Sequence, residues 1–415
     1  MSGVEITKGQ LGANTIASSD KTAGFVVSVG SAPSGMTLGN VYKFYNIKDV
    51  EEMGITKDFE HSIVHHQISE FYRMAGEGSV LFLMLVPRTV SMVNMLDVDE
   101  PYAKKLINEA DGEIRKLALG LTLATEDSPA ATAGINDDVF ASIPKAQAFA
   151  DWCYENHRPL NIFLEGRDYS GDATTVADLT KIPNTKAPKV SVVIGQDYKL
   201  ASNGVLLPPF YGNYAAVGNV LGCSVKGKIN QNLGENESMN ITDAGKDAFM
   251  IGGLSSKTPI TEVESDWEIL DAKGYIFPIR EVGLAGLRWN NDHTCVEQIV
   301  DAEGNINEHT VAYGATIDKA SRLLRTALLP KVKTVQPVDP KTGRLPIGVV
   351  KYFEGLGNTV FEKMKADGEI SEGKTTIDPN SNLLTGDKAL IASFELVPYG
   401  TINKIKGSIN LKNNL

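Results

Sequence analysis

This 415-residue sequence is poor in cysteine, and it contains no long hydrophobic run, no basic excess and no G-x-S-x-G nucleophile signature. Its three cysteines, Cys153, Cys223 and Cys295, include no C-x-x-C pair. That excludes a disulfide framework and a zinc ribbon, and leaves three buried thiols as the expectation. The longest apolar run, residues 80–86, falls far short of the roughly 18 residues that cross a bilayer, so no membrane insertion is expected. The start of the chain lacks a basic-then-apolar leader, which predicts a protein that stays in the cytoplasm where it is made. Lysine and arginine number 40 against 51 aspartates and glutamates, a formal charge of −11. Phosphate affinity comes from clustered cations, so direct nucleic-acid binding is not expected, and the acidic balance points to protein partners. What is present is ordinary for a globular chain: 42% hydrophobic residues supply sizeable cores, and the length allows two to four domains of roughly 100–200 residues.

Helical and extended patterns alternate along the chain. Residues 25–29, 41–45, 80–86, 159–164 and 190–194 read as strands, the run 80–86 as one buried on both faces. Helices are predicted at 49–53, 59–75, 144–155, 215–221, 267–273, 317–328 and 347–364, with Arg322 and Arg325 on the polar side of the sixth and Pro330 as its stop. Residues 294–300 and 305–311 suggest a hairpin around 301–304. This alternation implies an α/β layer.

The two ends differ from the body. Val4 and Ile6 alternate with polar neighbours as a short strand, followed at 9–19 by small and polar residues without helical period. Residues 389–397 read as a strand with both faces covered, broken by Pro398-Tyr-Gly400. Beyond that break, Ile405, Ile409 and Leu411 share one parity with Gly407 while Lys404, Lys406, Ser408 and Asn410 take the other, giving one greasy and one wet face. Residues 401–411, fully extended, reach on the order of 35 Å. Strands of this kind present unpaired backbone edges and invite strand addition. The segment 388–415 holds four lysines against one glutamate, so the rest of the chain carries −14. The lysines read either as edge-protecting charges or as an electrostatic contact surface.

The chemical motifs are incomplete. His61 and His65 are spaced as two metal ligands on one helix face, yet His66 beside them completes no H-E-x-x-H and no further ligand follows. Residues 222–228 (GCSVKGK) have phosphate-loop spacing up to the lysine, but Ile229 stands where Ser or Thr should bind magnesium, and a small-residue helix precedes them. Residues 301–305 alternate oxygen ligands, but Ile306 replaces the glycine that a calcium loop requires, so a hairpin turn is the simpler reading. No cofactor or metal is expected, and no catalytic residue is assigned.

The order of elements resembles that of contractile tail sheath proteins of phages and related injection systems, over nearly the whole chain. The resemblance rests on 45–54 (YNIKDVEEMG), 71–76 (FYRMAG) and 80–88 in the first part. It continues with 267–280 (WEILDAKGYIFPIR), 283–289, 319–330, the helix 346–366, the loop residues 378–380 and 385–387, and the final 389–398. Residues 332–344, with two prolines, depart from the family pattern.

The resemblance implies an α/β (α+β) multi-domain subunit: an N-terminal arm and linker at 1–22, an outer α/β domain at 23–265, an inner domain at 266–397 and a C-terminal arm at 398–415. It implies no enzyme activity. The partners it implies are further copies of the chain, six to a ring and stacked helically, an inner tail tube protein, and baseplate and tail terminator proteins, in a virion tail or injection particle assembled in a bacterial cytoplasm. By the same analogy Val4, Ile6, Ile402, Ile405, Ile409 and Leu411 are inter-subunit strand residues, Gly9, Gly12, Pro398 and Gly400 are hinges, and Lys404 and Lys406 face the tube. The competing readings are a nucleotide-binding enzyme using 222–228 and a non-contractile filament or shell that exchanges arms.

Overall fold

A computed structural model describes residues 20–58, 61–122, 130–203, 213–409 and 411–412. Within it the hydrophobic runs close into one seven-stranded sheet. Its strands are β1 (Ala23–Val29), β2 (Val41–Phe44), β3 (Leu81–Pro87), β4 (Lys116–Gly120), β5 (Asn161–Glu165), β6 (Val190–Val193) and β7 (Tyr275–Ile276), in the spatial order β7-β6-β5-β4-β1-β3-β2. All pairings are parallel except that of β2 with β3. A parallel sheet is covered on both faces by its own crossovers, which selects continuous apolar strands. Accordingly, every residue of β1, β4, β5 and β6 is buried.

Helix α1 (Ser62–Ala75) follows the predicted apolar spacing, and α2 (Asp137–Glu155) begins before the predicted Pro144, which sits inside it. Asn136 starts α2 by accepting the Asp138 amide. Helix α3 (Val217–Lys226) packs on β4 and β5 and lies against α1. The contact is backbone on backbone: a Cβ at Gly222 would stand 2.6 Å from the Phe71 carbonyl oxygen, and one at Gly218 would collide with the carbonyl of Gln67. Gln67 fastens the crossing by donating to the Ala215 carbonyl at 2.6 Å and accepting the Gly218 amide at 2.8 Å.

Residues 222–226 therefore belong to a helix packed into the body, not to a loop between strand and helix. Their amide groups are inside helical hydrogen bonding and Gly222 is shut against α1, so the competing phosphate-loop reading of 222–228 has no loop to rest on.

The expected boundary at 265/266 does not match the packing. The helix Trp267–Ala272 leads directly into β7, and Leu270, Tyr275, Ile276, Phe277, Trp289 and Cys295 lie in the same large core as β1 to β6. A two-residue strand leaves too short a pattern to reveal its sheet partner. The smaller unit consists of α4 (Val311–Leu328), α5 (Ile347–Ala366), β8 (Ile370–Ile377) and β9 (Ala392–Pro398). Two small clusters hold it together: Ala320, Leu324, Phe361, Met364 and Ile370, and then Leu345, Val349, Val350, Phe353 and Ile377. Helix α4 joins the units, with Val311 in the large core and Leu324 in the small one. The hairpin expected around 301–304 is reduced to bridges from Val300 to Ile306 and from His293 to Thr310. Asp301 holds its turn by accepting the Glu303 and Asn305 amides.

Candidate functional site

The small unit is built on a close helix-to-strand contact. Helix α5 lies on β8, where a Cβ at Gly373 would stand 2.7 Å from Cδ1 of the buried Phe361. The sequence pattern predicts no strand at 370–377, because Gly373 and a mostly polar run conceal the alternation that buries Ile370, Thr375 and Ile377. Strand β8 pairs antiparallel with β9, from Ile370 opposite Pro398 to Ile377 opposite Ala392, with a register shift between Ile370 and Glu372. Asp378 and Ser381 close the connection, the Asp378 amide donating to the Ile391 carbonyl and the Ile391 amide to the Ser381 hydroxyl, both at 2.9 Å.

Among the described residues, β9 pairs with β8 alone. Its second edge is open, and its faces are not both covered as the sequence suggests: Phe394 and Val397 are exposed, as is Ile391 just before the strand. Alongside lies an apolar groove. A cavity of about 400 Å³ runs between Leu324, Leu328, Val332 and Phe394. A second, of about 500 Å³, reaches Tyr313, Ile317, Phe361 and Leu396. The third, of about 480 Å³, is bounded by Phe353, Leu383 and Leu390. The Phe394 ring borders all three. An edge strand beside an apolar trough is the arrangement that accepts an added strand, the backbone pairing at the edge and alternate side chains entering the trough.

The chain end supplies a segment of matching chemistry. Past β9, the described residues of 399–412 form no helix or strand. Ile402, Ile405, Ile409 and Leu411 are 79%, 87%, 99% and 102% exposed, and Lys404 and Lys406 are exposed as well. Pro398 is the last residue of β9, and Gly400 stands in open space. Val4, Ile6, Gly9 and Gly12 lie outside the described residues.

The first described residue, Asp20, is held against α4. Its carboxylate accepts from Arg322 Nη2 at 2.5 Å and pairs with Lys319 Nζ at 2.8 Å, and the same Lys319 amine donates to Glu369 Oε1 at 2.6 Å. Burial pulls the Lys319 amine down, but its hydrogen bonds to Asp20 and Glu369 prevail and leave it above the usual lysine range. Burial also lowers Arg322. Behind this cluster, Lys189 pairs with Asp318 at 2.6 Å and with Glu308, so the seam between sheet and α4 is charged rather than apolar. Sequence reading finds Arg322 on the polar face of α4 but no sign of its partner, which is 302 positions away.

The histidines diverge. His61 Nε2 meets the Ser31 carbonyl at 3.2 Å, His65 Nε2 meets Glu51 at 2.8 Å and His66 Nε2 meets the Tyr214 hydroxyl at 3.2 Å. Among the described residues no group of His, Cys, Asp and Glu side chains converges on a metal position, and no helix is long and apolar enough to cross a membrane. All three cysteines are buried, with thiols raised above the ordinary value by that burial.

A family model described as "DUF2586, N-terminal domain" matches residues 1–293. No curated protein matches the chain by sequence. Similar solved structures include the helical sheath of the anti-feeding prophage (AFP) in its contracted state, at 13% identity over 98% of each chain with a TM-score of 0.58. A chain of the six-fold symmetrised AFP baseplate matches at 12% identity over 99% of each chain, with a TM-score of 0.57. The PVC sheath complex of an extracellular contractile injection system, also contracted, matches at 10% identity over 100% of this chain and 98% of that one, with a TM-score of 0.56. The fold of the described residues is that of sheath proteins of contractile injection systems.

Proposed function

We propose that this chain, which belongs to the DUF2586 family, is a structural sheath subunit that polymerises by strand exchange around an inner tube and contracts to drive that tube through a target envelope. The observation that carries the reading is the open edge of β9 beside its apolar groove, in a chain whose own end displays four unburied apolar side chains. The full-length likeness to contracted sheaths supports it. In this reading residues 401–411 of one copy add to the β8–β9 sheet of another, with Ile402, Ile405, Ile409 and Leu411 as the strand's apolar positions. Backbone pairing of this kind tolerates side-chain variation, which suits subunits that must turn against one another, and Pro398 and Gly400 serve as the hinge. The N-terminal residues around Val4 and Ile6 act as a second arm with Gly9 and Gly12 in its linker.

Six copies form a ring, rings stack helically, and the partners are the tube, baseplate and terminator proteins of a phage tail or injection particle assembled in a bacterial cytoplasm. Lys404, Lys406 and α5 lie toward the tube. The work of contraction comes from the tighter subunit interfaces of the contracted lattice, and the subunit has no catalytic role. Electron microscopy of the purified protein tests the reading: ribbed hollow cylinders are expected, and closed shells or persistent monomers at high concentration would overturn it.

A further inference from the structure

The cluster at Asp20 touches two places that matter for strand exchange. Asp20 is the first described residue and the one to which the sequence-predicted N-terminal arm would be joined. It stands just ahead of Thr22, whose carbonyl accepts the Arg115 amide, and of β1, which begins at Ala23. Glu369 immediately precedes Ile370, the first residue of β8, and its own amide caps α5 by donating to the Met364 carbonyl at 2.9 Å. Lys319 is bonded to both carboxylates at once. These groups are mostly withdrawn from water: side-chain exposure is 15% for Lys319, 12% for Arg322, 22% for Asp20 and 10% for Glu369. Charges in such a setting are screened weakly, and removing one leaves its partner partly buried without compensation.

We propose that Lys319 is an intramolecular relay that couples the root of the N-terminal arm to the sheet that receives a neighbour's strand. A pull or rotation at Asp20 alters the ion pair that sets Lys319, and through it the position of Glu369 at the head of β8. Packing provides the other half of the path, because α4 carries Lys319 and Arg322 on one side while Ala320 and Leu324 sit against Phe361 and Ile370 on the other. The consequence for assembly rests on the sheath reading: a subunit whose N-terminal arm is displaced would change its grip on the strand it has received, so rearrangement passes from copy to copy. The coupling itself is a property of the single chain and is measured without any assembly.

The experiment is amide hydrogen exchange on the full-length monomer in low salt, comparing wild type, Asp20→Asn, Lys319→Met, the double variant carrying both, and Lys319→Arg. Asp20→Asn should accelerate exchange in residues 370–377 and 392–398 by about fivefold or more, the factor that corresponds to roughly 1 kcal/mol. Exchange in residues 81–87, remote from the cluster, serves as the folding control and should not change. Lys319→Met should show the same acceleration without Asp20→Asn adding to it, whereas Lys319→Arg should restore most of the protection. Unchanged exchange at 370–377 in Asp20→Asn, or full additivity of Asp20→Asn with Lys319→Met, would overturn the relay. Failure of the sheath reading looks different: the coupling would be measured, yet no cylinders would form.

Discussion

Replacing Phe361 with alanine tests whether the small C-terminal unit unfolds by itself. Phe361 is 1% exposed and fills the space between α4, α5 and β8, against Ala320, Leu324, Met364, Ile370 and the glycine backbone at 373. Truncating a buried phenylalanine to alanine costs about 3–5 kcal/mol, from lost transfer free energy and the cavity left behind. The unit it supports spans fewer than ninety residues from α4 to β9 and draws on two five-residue clusters. At roughly 0.05–0.15 kcal/mol per residue such a unit has about 4–13 kcal/mol in all. The substitution thus removes about a quarter or more of its stability, or roughly two to four orders of magnitude in its folding equilibrium at about 1.4 kcal/mol per factor of ten.

The tryptophans make the assay selective. All three, Trp152, Trp267 and Trp289, lie in or against the large core and none in the small unit. In a urea titration of Phe361→Ala, far-UV circular dichroism should show a new early step from the loss of α4 and α5, while tryptophan emission keeps its wild-type midpoint. A common shift of both probes to lower urea would refute the two-unit reasoning and show that the large core and the small unit unfold as one cooperative block.

Other outcomes follow from the same geometry. Deleting residues 401–415 should leave the thermal midpoint of the soluble protein within about 1 °C, since surface changes cost within about 0.5 kcal/mol, while abolishing assembly in sedimentation; loss of the fold would refute the arm reading. Gly218→Ala should force α3 off α1 and destabilise the tryptophan-reported transition by more than about 2 kcal/mol, and a wild-type midpoint would show that the crossing relaxes freely. Burial pulls the Lys116 amine down to about 8 from 10.5, its hydrogen bond being to Asn161 Oδ1 at 2.9 Å. Between pH 8 and 10.5 the unfolded chain then binds more protons at this residue than the native one, so its contribution to stability rises with pH, by up to about 3 kcal/mol. Lys116→Met removes that rise, so wild type should gain on the variant across this window in paired chemical melts. A constant difference from pH 8 to 10 would mean that Lys116 is not held in a desolvated site.

Much of the local structure was legible because its causes are local. A fully buried parallel strand must be apolar at every position, and 80–86 says so; an amphipathic helix must repeat its apolar face, and 59–75 and 347–364 do. The greasy alternation after Pro398 likewise marked a segment whose apolar side chains no described residue covers. Where local signal is weak the reading failed. The strand at 370–377 is polar and carries Gly373, and its character depends on Phe361 lying beneath it. The incomplete phosphate-loop spacing at 222–228 carries no signal of its actual role, which is close helix contact: Gly218 and Gly222 let α3 approach the backbone of α1.

By itself, then, the sequence determined the periods of its helices and strands, the lack of a C-x-x-C pair and of an apolar run long enough for a membrane-spanning helix, and an alternating apolar tail, all properties of neighbours within a few turns or strand repeats. Tertiary structure alone decided which strands pair, that 275–276 joins the large sheet, that β9 keeps an open edge beside Phe394, and that Asp20 meets Lys319 and Glu369. Many of those contacts join residues far apart in the chain. Their geometry arises only when the whole chain closes, because an ion pair or a sheet edge is defined by what arrives beside it and not by the residues that flank it.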